Sequence, residues 1–163
     1  MVSESKGKKF VKSQQSLHLY PKVQKAFIEV IKKFSEEEFN IATKNLILMV
    51  LHEGALGQVM HFSPRDKKFQ IMQLTIPKSI PIKKLKYVIA HEFGHVMQNR
   101  NWKKSDNLKL EVNADSWAKK WGFPNLYFPN LYPKSAIKLP SIIAAITSKG
   151  KTIKKKTLKE FIK

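Results

Sequence analysis

Cysteine is absent from this chain of 163 residues, which removes disulfide frameworks, thiol nucleophiles and thiolate metal sites together. Long hydrophobic stretches are absent too. The longest uninterrupted apolar run, Leu46 to Leu51, falls far short of the ~20 residues a membrane-spanning helix needs. The opening Met1-Val2-Ser3-Glu4-Ser5-Lys6-Gly7-Lys8-Lys9 holds no apolar core of a signal peptide, so a soluble protein of the cytoplasm or another intracellular space is expected. Acid is scarce, with 12 Asp and Glu against 31 Lys and Arg and a net charge of +19. Arginine is scarcer still: only Arg65 and Arg100 stand beside 29 Lys. Arg is the side chain suited to bidentate reading of guanine and phosphate. A lysine-dominated excess therefore points to general polyanion attraction, or to nothing beyond composition, more than to base reading.

What is present is enough for one folded domain. A hydrophobic content of 42% with ten Phe excludes wholesale disorder. Residues 1–16 read as a basic, flexible N-terminal arm, 17–148 as the folded domain, and 149–163 as a Lys-rich C-terminal segment. From Pro21 the apolar positions Val23, Phe27, Val30, Ile31 and Phe34 follow the period of an amphipathic helix. Ser35 with Glu38 is a capping-box signature for another turn. Leu46 to Leu51, Leu56 to Phe62 and Phe69 to Ile76 are strand candidates, with turn chemistry at Ser63-Pro64-Arg65-Asp66-Lys67-Lys68. Two helices follow, from about Pro81 to Gln98 and from Ser105 or Asp106 to Trp121, the second stopped by Gly122 and Pro124. Then come two copies of Phe-Pro-Asn-Leu-Tyr, residues 123–127 and 128–132, which read as an aromatic loop packing back on the body.

The informative residues are His91-Glu92-Phe93-Gly94-His95. On a helix, side chains four apart lie on one face, one turn up. Two imidazoles so placed can share one zinc ion, and the adjoining Glu92 can reach a water rather than the metal, the position of a general base. Shuffling this composition would produce the motif in about one chain per hundred, so the motif alone decides little. A catalytic zinc wants three protein ligands and an open position. No His follows His95, and Gln98 and Asn101 stand where the metzincin extension needs Gly and His. Carboxylates remain. Glu111 and Asp115 lie one turn apart on the next predicted helix, beside the apolar face Leu110, Ala114, Trp117 and Trp121. A carboxylate projecting from near a buried face is costly unless it meets a cation. Glu111 is thus the candidate third ligand. Asp115 can accept the free N–H of a ligand imidazole, although pairing with Lys119 as a surface acid competes. Gly94 in mid-helix, about 1 kcal/mol worse than Ala, points to close approach of another element behind the metal.

His91-Glu92-x-x-His95 followed by Glu111-x-x-Ala114-Asp115 resembles the gluzincin pattern of zinc metallopeptidases, notably the Ste24/HtpX-like and ImmA/IrrE-type peptidase domains. The likeness spans roughly residues 69–122. It implies an α+β, zincin-like fold: an N-terminal backing helix, a small twisted mixed sheet with an edge strand, and the metal helix packed against a Glu-bearing helix. It implies a zinc metalloendopeptidase acting on protein or peptide substrates, one Zn²⁺ per chain on His91, His95 and Glu111, Glu92 polarising the water, and Asp115 orienting a ligand. It also implies that the third strand is the edge along which an extended peptide lies.

A second electrophile for the developing oxyanion is wanted besides zinc. Tyr127, Tyr132 and His61 are the candidates, against ordinary packing roles for each. An inactive zincin serving as a zinc-binding module carries the same ligands. The Lys-rich ends fit solvated termini, arms tethering the protein to nucleic acid, or a basic amphipathic helix from residue 152 on an anionic membrane surface. These three remain open at the level of sequence.

Overall fold

The computed structural model describes residues 1–51, 57–61, 70–76, 80–98 and 107–126. In chain order these form α1 (Glu4–Lys12), a 3-10 turn (Gln15–Leu17), α2 (Pro21–Ile31), α3 (Glu36–Thr43), β1 (Leu46–Leu51), β2 (Gly57–His61), β3 (Gln70–Thr75), α4 (Ile82–Met97) and α5 (Asn107–Lys120). The mixture is α+β, as expected. The predicted turn at 63–68, the capping residues Ser105 and Asp106, and everything from residue 127 onward, including the Lys-rich 149–163 segment, lie outside the described residues.

The helices begin and end for local chemical reasons. Pro21 occupies the first turn of α2, where its missing N–H costs nothing. The Ser35 hydroxyl accepts the Glu38 N–H at 3.1 Å while the Glu38 carboxylate accepts the Ser35 N–H at 2.7 Å, the reciprocal capping box read from sequence. At the far end of α5, Gly122 adopts φ 88°. Gly122 N–H donates to Lys119 O at 3.0 Å and Phe123 N–H to Ala118 O at 2.9 Å, the paired bonds of a Schellman stop. A side chain would be strained in that left-handed backbone, which is why glycine is suited there.

The core joins the helices to one face of the sheet. Phe27, Phe34 and Phe93 are fully buried. Phe93 meets Phe27 and Phe34 edge-on, at centroid distances of 5.9 and 5.1 Å, and Phe34 packs on Trp121 at 4.3 Å. The ring inside the His-Glu-Phe-Gly-His motif is therefore the bolt that holds α4 to α2. Two ion pairs add ties between helices: Lys86 of α4 with Glu29 of α2, and Lys120 of α5 with Glu38 of α3 at 2.7 Å.

Two expectations are corrected. Residues 1–16 are not a mobile arm. Ser3 caps α1, accepting the Lys6 N–H at 3.3 Å, and Val2, Val11 and Leu17 are buried. Val2 N–H donates to Phe34 O at 3.0 Å, so the packed structure includes the second residue. The stripe responsible is Gly7, Phe10 and Val11, and its first member packs on Ile31 without a side chain. A glycine contributes nothing to an apolar count, so the periodicity hides among lysines. Burying each valine or leucine contributes roughly 1.5–3 kcal/mol relative to exposure, enough to order a short basic segment.

The second correction concerns the sheet, whose order is β1-β3-β2. β3 runs parallel to β1, from Leu46↔Gln70 to Leu51↔Thr75, and antiparallel to β2, from Gly57↔Leu74 to His61↔Gln70. The sheet is mixed, as anticipated, but β3 is central and not the edge. Burial of Ile71, Met72, Leu74 and Thr75 covers both faces of β3, the pattern of an interior strand. The outer edge of β1 is occupied at its Leu48 position: Gln14 Oε1 accepts the Leu48 N–H at 2.9 Å, and Ser16 Oγ donates to Leu48 O. β2 is the other edge, and among the described residues no strand pairs with its outer side. None of the described helices is long and apolar enough to cross a membrane.

Candidate metal centre

Tyr87, His91, His95 and Gln98 recur at four-, four- and three-residue steps, so α4 and its first following residue present all four along one stripe. α5 crosses this stripe closely because both partners are small. Ala114 and Ala118 are fully buried. A Cβ added to Gly94 would lie 2.6 Å from Ala114 O and 2.7 Å from Ala114 Cα. The close approach expected behind the motif is thus the backbone of the helix that carries Glu111. The buried stripe of α5 runs through Ala114, Ala118 and Trp121, with Leu110 and Trp117 only partly covered. The apolar face therefore turns slightly from the one read in sequence, and Glu111 and Asp115 turn toward α4.

The structure brings His91, His95, Glu111 and Asp115 together. His91 Nε2 lies 3.1 Å from His95 Nε2 and 3.1 Å from Glu111 Oε2, and His95 Nε2 lies 3.4 Å from the same oxygen. His91 Nδ1 donates to Asp115 Oδ1 at 2.7 Å, so that when the ring gives up its second proton, Nε2 is the nitrogen that presents a lone pair to the cluster. His91, Glu92 and His95 are all buried, and one ligand atom from each lies within 4.8 Å of the others. This group can hold a metal ion. The carboxyl group of Glu92 rests against β2: a Cβ on Gly57 would fall 2.5 Å from Glu92 Oε1 and 2.8 Å from its Cδ.

The electrostatics favour a cation at this point. Burial works against charge on His91, but hydrogen bonds to Asp115 and Glu111 outweigh it and push its pKa up to about 10. Burial likewise raises Glu111, yet the two imidazoles hold its carboxyl well below the usual range. Asp115 is also depressed: burial is overcome by His91, Asn125 and Tyr87. Two ionised carboxylates beside two imidazoles form a donor set of the kind that divalent zinc accepts.

Three contributors were not singled out in the sequence. Tyr87 OH donates to Asp115 Oδ1 at 2.7 Å, and Asn125 Nδ2 to Asp115 Oδ2 at 3.0 Å. Gln98 Nε2 donates to Leu110 O at 2.7 Å and lies 3.4 Å from His95 Nδ1. Tyr87 and Gln98 had a legible signal, their helical spacing from the two histidines. Asn125 had none, because the turn at Gly122 returns it to Asp115. Of the other candidates, His61 ends β2, about 13 Å along the strand from Gly57, so it stands at the end away from Glu92. Tyr127 and Tyr132 fall outside the described residues. Comparison of the chain with protein-family models, with curated proteins and with solved structures yields no match.

Proposed function

We propose that this chain is a zinc-dependent metallopeptidase of gluzincin type on a zincin-like core. The observation that carries the reading is the spacing of three donor atoms. His91 Nε2, His95 Nε2 and Glu111 Oε2 are mutually 3.1, 3.1 and 3.4 Å apart, against the ~3.3 Å between ligands on a tetrahedron with bonds of ~2.0–2.1 Å. Those three residues would hold the ion. When bound, zinc supplies Lewis acidity, making water a nucleophile near neutral pH and polarising the scissile carbonyl.

The remaining steps belong to the chain. Glu92, buried beside the two imidazoles, takes the proton from the attacking water and delivers it to the leaving amine. Asp115 holds the His91 Nδ1–H, with Tyr87 and Asn125 fixing the carboxylate in turn. The substrate main chain adds to β2, not to β3. β2 carries the available edge, and its Gly57 end touches the Glu92 carboxyl group.

Metal analysis and one substitution test this. The purified protein should contain about one zinc per chain, and Glu92→Gln should keep the metal while losing peptide hydrolysis. A folded protein that takes up no zinc defeats the reading, and an unchanged rate in the variant removes Glu92 from it. The net charge of +19 favours a second reading: a nucleic-acid-associated basic protein with a zincin core, acting either as a DNA-tethered protease or as an inactive zinc-binding module. That reading requires nucleic-acid affinity that collapses between low and physiological salt. A flat salt response excludes it.

A further inference from the structure

The two imidazoles of the centre are held differently. His91 has a carboxylate on its outer nitrogen, whereas the corresponding nitrogen of His95 faces an amide, Gln98, at 3.4 Å. Gln98 caps α4. Its backbone N–H donates to His95 O at 3.3 Å, and its side-chain N–H donates to Leu110 O, the carbonyl just before Glu111. Its Oε1 is buried and has no hydrogen-bond partner among the described residues. An amide oxygen left so is costly to the fold, and it calls for a donor.

Tautomer chemistry supplies such a donor. For His95 Nε2 to present a lone pair beside His91 Nε2 and Glu111 Oε2, the ring proton must reside on Nδ1 and find an acceptor. The amide nitrogen is the end that lies 3.4 Å from Nδ1, and because the terminal amide torsion of Gln is broad, rotation about it can present Oε1 to Nδ1 instead. We infer that Gln98 is the positioning residue of His95, accepting its Nδ1–H through Oε1 and so fixing Nε2 as a metal donor. The inference rests on the metal-centre reading above. A neutral acceptor on His95 and a charged one on His91 serve both rings without placing a third carboxylate beside Glu111 and Asp115. The amide also links the last turn of α4 to the residue that precedes the third ligand.

The test compares the wild-type chain with Gln98→Met, which removes both polar atoms, and Gln98→Glu, which keeps the acceptor but loses the donor to Leu110. Zinc affinity is measured by chelator competition, the His95 tautomer by nitrogen-15 NMR of the zinc-loaded protein, and the metal-free fold by thermal denaturation. The expected result is Nδ1–H on His95 in wild type, zinc affinity about 10- to 100-fold weaker in Gln98→Met, and recovery of most of that loss in Gln98→Glu. Equal zinc affinity in wild type and Gln98→Met overturns the inference and leaves the metal centre standing. So does equal weakening in both variants, since the link to Leu110 would then be what matters. A wild-type chain that binds no zinc overturns the metal centre itself, and this inference with it.

Discussion

Gly94 of α4 lies directly on the backbone of Ala114 of α5: a Cβ at 94 would stand 2.6 Å from Ala114 O and 3.0 Å from its carbonyl carbon. The obstructing atoms are main chain and cannot rotate aside. This contact sets the separation of the two helices that supply His91, His95 and Glu111.

Gly94→Ala should therefore force α5 outward. Overpacking of this kind costs about 1–3 kcal/mol, so the thermal midpoint should fall, and zinc affinity should fall with it because Glu111 moves from the imidazoles. Thermal denaturation and a zinc titration check both; an unaltered affinity would mean that the helix separation does not govern the site.

Gly57→Ala acts on a different part. Its methyl group would strike the Glu92 carboxyl group, which can turn away where a backbone cannot. On the proposed reading, zinc content should stay near wild type while peptide hydrolysis drops by about tenfold or more, within the range that a displaced proton carrier accounts for. Loss of metal in this variant would contradict the separation of roles between Glu92 and the ligands.

Asp115→Asn retains the size of the side chain but weakens its hold on His91 Nδ1. Zinc affinity should decline about 10- to 100-fold. Tyr87→Phe, which removes one of the donors to Asp115, should shift it in the same direction by less. The order of the two effects is the check: a larger loss in Tyr87→Phe would make the tyrosine, not the aspartate, the principal support.

Acid should loosen the helical layer. Hydrogen bonds to Lys32 and Lys8 lower the Glu4 pKa to about 2. Glu38 is lowered as well: burial raises it, but Lys120 and the Ser35 N–H prevail. Because both folded values lie below the unfolded carboxylate value of about 4.3, their contribution is complete above that pH. It is lost as pH falls below it, for Glu4 down toward about 2. Thermal midpoints from pH 7 to pH 2 should show this fall. Glu38→Gln, which weakens both the cap and the tie to Lys120, should flatten the curve and lower the neutral-pH stability by about 1 kcal/mol.

Phe93→Ala should be the costliest change at the motif that touches no ligand. Removing a fully buried ring that contacts Phe27 and Phe34 costs about 3–5 kcal/mol. Chemical denaturation measures it. A loss below 1 kcal/mol would show that α4 is anchored elsewhere.

Much of this molecule was legible because helices advertise themselves over short spans. The stripe from Val23 to Phe34, the Ser35–Glu38 box and the spacings of His91 with His95 and Glu111 with Asp115 all reflect one local period. The N-terminal segment was misread because its buried face opens on a glycine. The edge strand was misplaced because strand order depends on which segments pair, and alternation within a strand carries no record of its neighbours.

Composition and periodicity alone determined that any metal chemistry must rest on imidazole and carboxylate, and which two pairs of side chains offer them at one-turn spacing, since each pair belongs to neighbouring turns of one helix. Only the folded chain decided that Gly94 meets Ala114, that Gln14 and Ser16 occupy one sheet edge at Leu48 while β2 keeps the other, and that Tyr87, Gln98 and Asn125 brace the donors. Those contacts join segments distant in the chain, and a hydrogen bond between such segments exists only once packing has brought its two ends within reach.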